Sequence, residues 1–300
     1  MTRFCRLAIF TALFVFASAG LAAHSRAATE NPAYRESVEK WRTDYEADLR
    51  SDHGWLTIAG LFWLHDGENH FGTDPKNVVV MPGGSAPRDA GYFDYRDGKV
   101  VAHIDSGSGI TVRGKQIETL EMRHDNSEDR LVAGDVALWV HASGDRMAIR
   151  MSDKNSKLRT GFTGVRWFPI VEKYRVVAQY TPYPAPKQTP IKNLAGDSLA
   201  LPIAGYVTFT LNGETLRLDA MVDDKGALSF VFRDGTSGKE TYGASRFLDT
   251  DPVKDGKVAL DFNEAYNPPC AYNPYTTCPL PPAENRLTVR IAAGEMAYRH

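Results

Sequence analysis

Apolar residues recur at helical spacing in one long segment near the start of the chain. Asn31 and Pro32 supply an N-cap and a first-turn proline for this segment. The apolar positions then follow at intervals of three and four residues, at Tyr34, Val38, Trp41, Tyr45 and Leu49. Charged residues occupy the other face. The pattern predicts one amphipathic helix, whose aromatic stripe we expect to pack against a sheet.

Beyond the helix, the pattern is that of short strands separated by turn residues. The apolar run 54–64 reads as a buried strand or strand pair, and two alternating segments flank Asn212-Gly213, which predicts a β-hairpin. Further strands are predicted at 78–81, 92–95, 100–104, 110–113, 116–120, 136–141, 146–151 and 174–180. We therefore predict a mainly β fold, with one or two β-sandwich or barrel modules and a single N-terminal amphipathic helix.

The proline-rich stretch 181–190 is the best candidate for a boundary between modules, because consecutive prolines favour extended, poorly paired backbone. It predicts an N-terminal module of the helix and a β-sandwich, residues 30–180, and a C-terminal β module, residues 190–300. A proline-rich crossover within one continuous domain would have the same sequence pattern, so both readings stay open.

The first 28 residues have the pattern of a secretory signal peptide. Arg3 and Arg6 precede an apolar run from Leu7 to Ala23 that ends in small residues. The run is also about as long as a short membrane span, so an uncleaved anchor is the alternative. We expect a periplasmic or secreted protein with no stable membrane insertion after cleavage.

Charge disfavours one class of partner. Without residues 1–28, which hold three arginines and no acidic residue, 32 basic side chains face 37 acidic ones. Affinity for nucleic acid comes mainly from neutralising phosphates, so this balance disfavours a nucleic-acid partner. Nothing in the composition points to a cofactor, and we expect none.

Two cysteines, Cys270 and Cys278, remain after removal of the signal. An even number in an oxidising compartment favours pairing, so we predict a structural disulfide. A zinc or redox pair is the alternative. It is disfavoured because no histidine lies within 20 residues and seven residues separate the thiols.

The segments GKETYGASRFL (238–248) and LDFNEAYNPPCAYNPYTTCPLPPAENRL (260–287) resemble the signature of a family of bacterial, often secreted proteins catalogued only as a domain of unknown function. Residues 54–64, 66–77 and 166–169 resemble the same family. The resemblance spans nearly all of the mature chain, and it implies no activity because none is established for the family.

A weaker resemblance lies in residues 71–114, whose spacing is similar to that of forkhead-associated domains, β-sandwiches that bind phosphothreonine peptides. Thr73 and Arg88 stand where that family places its phosphate-binding arginine and a histidine. The resemblance therefore implies the sandwich fold and disfavours phosphopeptide binding.

Polar side chains concentrate in the two C-terminal signature segments, and the prolines there cannot extend a central strand. A rigid loop that presents such groups is typical of a binding site. We predict that a small polar ligand, a sugar or a carboxylate, binds there through Tyr242, Arg246, Asn263, Tyr266, Asn267, Asn285 and Arg286. The alternative is that these groups satisfy the loop's own backbone and form structural ion pairs.

Two other functions stay open. A carboxylate-dependent hydrolase or lyase would draw an acid and an ionised partner from Glu240, Asp261 and Glu284. A cell-envelope protein-interaction module would expose an apolar patch on the first sandwich. No nucleophile elbow surrounds Ser108, which disfavours a serine hydrolase.

Three histidines, His53, His65 and His70, lie near carboxylates in the sequence, a mixture that could hold a metal ion. Their spacing lacks the helical geometry of a metal motif. We interpret them as solvated loop residues and expect no metal site.

Overall fold

The fold is taken from a computed structural model, which describes residues 31–124, 126 and 128–299. The predicted signal peptide, residues 1–28, lies outside the described residues. Among the helices that are described, none is both long enough and apolar enough to cross a membrane.

The predicted N-terminal helix is confirmed as α1, Pro32–Arg50. The Asn31 side chain accepts hydrogen bonds from the amides of Ala33 and Tyr34, as expected of an N-cap. Val38 and Leu49 are buried. The aromatic stripe packs against the β-rich body of the protein, where Trp41 and Tyr45 contact Trp167 and Tyr266.

The chain after α1 forms a 3-10 helix, Trp55–Thr57, and then nine strands. Strands β1 to β9 are Ile58–Trp63, Gly67–Gly72, Val79–Val80, Gly91–Arg96, Lys99–Ile104, Thr119–Met122, Leu131–Ala133, Val136–Ser143 and Arg146–Asp153. They form a five-stranded sheet of order β3-β2-β4-β5-β6 and a four-stranded sheet of order β1-β9-β8-β7. Both sheets contribute to one apolar core, which includes Phe71, Phe93, Leu138 and Ile149.

The remaining strands build a single larger sheet. Helix α2 is Lys157–Thr160, and β10 to β15 are Arg175–Lys192, Ser198–Leu211, Glu214–Val222, Ala227–Phe232, Arg246–Pro252 and Lys257–Asp261. Their order is β14-β13-β12-β11-β10-β15, and contact between β14 and β15 nearly closes the sheet into a barrel. Short 3-10 helices lie at Glu172–Tyr174, Phe262–Glu264, Pro269–Ala271 and Ala283–Asn285. The mainly β fold is therefore confirmed.

Two local predictions can be compared directly with these strands. Asn212-Gly213 turns β11 into β12 with positive φ at both residues, as the hairpin prediction requires. The proline-rich stretch 181–190 lies inside β10 and pairs with β11, apart from an irregularity between Pro182 and Lys187. The division into two modules and the forkhead-associated resemblance of 71–114 stay predictions.

A third apolar cluster joins the end of α1, the first 3-10 helix and the segment 260–287, called the signature segment below. Its buried members are Leu49, Leu56, Phe162, Ala271 and Tyr272. The Asn273 side-chain amide donates to the Trp55 carbonyl oxygen at 3.0 Å, and His141 Nε2 lies 2.9 Å from Thr277 Oγ1. The signature segment thus packs on the outer face of the four-stranded sheet.

Gly54 is expected to be essential for this junction, because it lies against the last turn of α1. A Cβ at this position would lie 2.3 Å from the Asp48 carbonyl oxygen and 2.4 Å from that of Leu49. We expect Gly54→Ala to lower the free energy of unfolding by about 1–3 kcal/mol in equilibrium denaturation. Gly83 is the control, because a Cβ there would have no atom within 4 Å, and Gly83→Ala should change stability by less than about 0.5 kcal/mol. Equal losses in the two variants would contradict the steric explanation.

Candidate functional site

Arg246, the central residue of the predicted ligand site, is fully buried and fixed inside the protein. It forms an ion pair with Asp234 at 2.5 Å and donates to the carbonyl oxygens of Ile291 and Ala293. Burial lowers the pKa of Arg246, and the Asp234 carboxylate opposes that effect. The guanidinium is therefore part of the core of the six-stranded sheet.

Two of the predicted asparagines act as buried links between backbone segments. Asn263 Oδ1 accepts from the Val171 amide and Asn263 Nδ2 donates to the Val171 carbonyl, both at 3.0 Å. Asn285 makes the same pair of bonds with Asp219 and also donates to the Val231 carbonyl. Both side chains therefore use their hydrogen-bonding groups to link segments of the backbone.

Asn267 belongs to a buried network that the sequence did not reveal. Its amide donates to Glu295 Oε2 at 2.8 Å, and its side chain donates to the Met296 carbonyl. The hydroxyls of Tyr45 and Tyr272 also donate to the Glu295 carboxylate. Burial raises the pKa of Glu295 to about 7. No sequence motif marks Glu295, because its environment comes from segments more than 200 residues apart.

The other predicted binding residues are dispersed. The Tyr242 hydroxyl donates to the Cys270 carbonyl at 3.1 Å, and the Tyr266 hydroxyl donates to Asp249 at 2.6 Å. Arg286 is exposed and donates only a long bond, 3.4 Å, to a backbone carbonyl. In the described chain, these three side chains therefore bond to different neighbours.

The three candidate catalytic carboxylates have separate surroundings. Glu240 pairs with Arg290 at 2.6 Å, and that hydrogen bond lowers the pKa of Glu240. Glu284 is exposed. Asp261 accepts a hydrogen bond from the Tyr34 hydroxyl at 2.8 Å. Within the described part of the chain, no two of the three are in contact, and the enzymatic alternative stays a prediction.

Of these three, Asp261 lines a cavity of about 600 Å³ at the start of α1. Asp249, Asp251 and Glu264 also line it, and burial, reinforced by Asp261, raises the pKa of Glu264 to about 7. Despite this density of acidic groups, the described residues contain no cluster of His, Cys, Asp or Glu arranged to hold a metal ion.

The predicted disulfide is absent from the structure, where Cys270 and Cys278 are both free thiols. They are nevertheless neighbours, since the Cys270 amide donates to Cys278 Sγ at 3.3 Å. A hydrogen bond between the thiols lowers the pKa of Cys278 and raises that of Cys270. The signature segment is therefore held by hydrogen bonds and packing in this structure.

A second cavity, of about 610 Å³, lies between the outer face of the four-stranded sheet and the first 3-10 helix. We call it the Arg150 pocket. Its lining residues are Asp52, His53, Trp55, Thr57, Ile58, Arg130, Val132, Gly134, Asp135, Val136, Ala137, Trp139, Arg150, Ser152 and Lys154.

Strand alternation places Arg150 in this pocket. Its neighbours in β9, Ile149 and Met151, point into the apolar core, so Arg150 faces the other side of the sheet. In the sheet register it lies between Leu61 of β1 and Trp139 of β8. Because β9 is an inner strand, the Arg150 side chain is fixed on a rigid element.

The charge of Arg150 is unusual for its burial. The residue is only 8% exposed, and its Nε is buried without a hydrogen-bond partner. In the described residues no carboxylate pairs with Arg150 and no group accepts a hydrogen bond from its side chain. Burial lowers the pKa of Arg150, with Cys278 as the one opposing charge. Burial, followed by the charge of Arg150, also lowers the pKa of His141 to about 4.

The pattern of apolar residues predicts the strand at 146–151 but does not mark the arginine within it as a functional residue. A signal was present, because Arg150 interrupts a segment that is apolar at Ala148, Ile149 and Met151. A charge at an interior strand position, flanked by apolar residues, calls for a partner. No acidic residue lies close to Arg150 in the sequence at a strand position that faces the same side of the sheet.

Part of the chain is similar to a family of known proteins. Residues 160–296 match the family described as protein of unknown function, DUF1684. A solution NMR structure of an uncharacterized protein from Haloarcula marismortui is 33% identical, with 46% of this chain and 78% of that chain covered and a TM-score of 0.39. No curated protein matches the chain. The match over residues 160–296 supports a domain-of-unknown-function family and assigns no activity.

Proposed function

We propose that this protein binds a small carboxylate ligand through Arg150. One observation carries the proposal: an arginine that is 8% exposed lines a cavity of about 610 Å³ and pairs with no carboxylate among the described residues. A ligand carboxylate in the cavity would supply the missing countercharge.

The physical chemistry of the guanidinium favours this assignment. Arginine stays charged at neutral pH, and a buried charge without a partner is costly. The guanidinium offers a planar fork of N–H donors that matches the two oxygens of a carboxylate. The folded protein therefore carries an unfavourable free energy at Arg150 that a bound carboxylate would relieve.

The position of the pocket connects it with the signature segment. Asn273 of that segment binds the carbonyl of Trp55, a pocket residue, and Cys278 is electrostatically coupled to Arg150. The polar ligand that the sequence predicts for the signature segment is thus proposed to bind in the adjacent Arg150 pocket. The residues proposed to bind it are those of the pocket, which differ from the residues predicted from the sequence.

Titration calorimetry with acetate, benzoate and D-glucuronate tests the proposal. We expect at least one of these acids to bind, and Arg150→Met to weaken that binding by about thirtyfold or more, because removing one partner of a buried charge pair costs about 2–5 kcal/mol. The unfolding free energy of Arg150→Met should equal or exceed that of the natural protein, since the variant removes an unpaired buried charge.

Arg96→Met is the matched control, because Arg96 is an exposed arginine at the end of β4 in the five-stranded sheet and does not line the pocket. It should leave binding of the same acids unchanged. Absence of binding by all three acids, or equal binding by Arg150→Met and the natural protein, would refute the proposed function.

We also propose that the protein is exported, on the basis of the charged and apolar pattern of residues 1–28. N-terminal sequencing of the chain recovered from the periplasm or medium after bacterial expression tests this. A mature chain that begins near residue 29 is expected. An intact Met1 in the cytoplasmic fraction alone would contradict export.

A further inference from the structure

We infer that the carboxylate ligand of the Arg150 pocket is carried by a sugar ring, as in a hexuronic acid. This inference rests on the proposed function and specifies its ligand class. It is drawn from three properties of the pocket: its net charge, its exposed aromatic side chain and the acceptor groups on its rim.

The charge of the lining residues fits a single negative charge. Arg130, Arg150 and Lys154 are cationic, and Asp52 and Asp135 are acidic, which leaves one net positive charge when His53 is set aside. Asp52 is paired with Arg159 at 2.7 Å and with Lys154 at 3.3 Å, and Asp135 accepts a hydrogen bond from a neighbouring asparagine at 2.9 Å. Phosphate dianions and polycarboxylates would meet these two carboxylates, so a monocarboxylate is favoured.

An exposed aromatic side chain lines the same cavity. Among the described residues, five large hydrophobic side chains are exposed, and Trp55, at 42%, is the aromatic one. Its backbone is fixed by the 3-10 helix and by Asn273, so its position does not depend on a flexible loop. The apolar C–H face of a pyranose ring provides a flat surface that can cover an indole.

The rim distinguishes a sugar acid from an aromatic acid. Asp52 and Asp135 present carboxylate oxygens, and Ser152 presents a hydroxyl, within the lining of the cavity. Sugar hydroxyls can donate to these acceptors, whereas a benzoate ring would desolvate them without replacing their hydrogen bonds with water. The combination of Arg150, Trp55 and an acceptor rim therefore matches a hydroxylated ring with one carboxylate.

Isothermal titration calorimetry of the full chain with D-glucuronate, D-glucose, acetate and benzoate tests this inference. D-glucuronate is expected to bind at least about tenfold more tightly than each of the other three, because it alone combines the ring, the hydroxyls and the charge. Trp55→Ala should weaken D-glucuronate binding by about fivefold to tenfold and leave acetate binding unchanged.

Leu194→Ala is the matched control, because Leu194 is a large apolar side chain, 43% exposed, outside the pocket. It should bind D-glucuronate as the natural protein does. If acetate or benzoate binds in an Arg150-dependent manner and D-glucuronate binds no more tightly, the sugar-acid inference is overturned while the proposed function stands. If Trp55→Ala weakens acetate and D-glucuronate equally, the inference is likewise overturned, because the ring contact is then absent. If none of the probes binds, both fail.

Discussion

Replacing Arg246 by methionine is expected to lower the free energy of unfolding by about 3–5 kcal/mol. The substitution leaves the fully buried Asp234 carboxylate without its countercharge, 2.5 Å away in the natural protein. It also removes the donors that serve the carbonyls of Ile291 and Ala293. Equilibrium denaturation in urea, followed by circular dichroism, measures the loss.

Two further variants separate the buried pair from general effects of losing an arginine. Arg290→Met breaks an ion pair with Glu240 whose arginine side chain is 56% exposed, and should lower stability far less than Arg246→Met does. The double variant Asp234→Asn with Arg246→Met should recover part of the loss, because no unpaired charge remains buried. A loss below about 1 kcal/mol in Arg246→Met would show that the pair does not hold this core together.

Glu295 is expected to make the protein less stable as the pH rises from about 4.5 to about 7. Burial raises its pKa in the folded protein to about 7 from an ordinary value of 4.5. Within that window the unfolded chain releases the proton while the folded protein retains it, so the free energy of unfolding falls with rising pH. The contribution is about 3 kcal/mol, because each pKa unit corresponds to about 1.4 kcal/mol.

The comparison of Glu295→Gln with the natural protein isolates this contribution. Glutamine imitates the protonated side chain, so the stability of the variant relative to the natural protein should increase between about pH 4.5 and about pH 8. Comparison at matched pH cancels His141, whose lowered pKa of about 4 has the opposite effect between pH 4 and 6.5. Urea denaturation at the two pH values measures the difference.

Glu284→Gln, at an exposed position of the signature segment, is the control for this experiment. Its stability relative to the natural protein should be the same at both pH values. A constant difference between Glu295→Gln and the natural protein across the window would mean that the pKa of Glu295 is not raised in the folded protein.

Local sequence patterns predicted most of the fold's elements. The spacing of apolar residues located α1, and Asn212-Gly213 located a hairpin, because both depend on residues close in sequence. The proline-rich stretch 181–190 was harder to interpret, since a strand can accept prolines wherever one edge makes no ladder hydrogen bonds. The pairing of β10 with β11, which stabilises this stretch, is seen only in the structure.

The candidate site was much less predictable than the fold. Asn263, Asn285 and Arg246 have the polar chemistry of binding residues, yet each is buried and bonded to the backbone or to Asp234. Sequence composition cannot separate a polar group that binds a ligand from one that links two segments, because both require donors and acceptors. Arg150 became a candidate only when its burial and its lack of a partner were known.

The prolines of β10 have a consequence for self-association. Strand β15 pairs with β10 only at residues 175–179, so in the described chain the stretch 181–190 pairs with β11 and has no second strand beside it. An open strand edge invites pairing with a neighbouring molecule. Prolines at positions 182, 184, 186 and 190 carry no N–H, which denies an incoming strand part of its ladder. Replacing these prolines with residues that have a backbone N–H would restore the hydrogen-bond donors of this strand edge, and other molecules could then pair with it and aggregate.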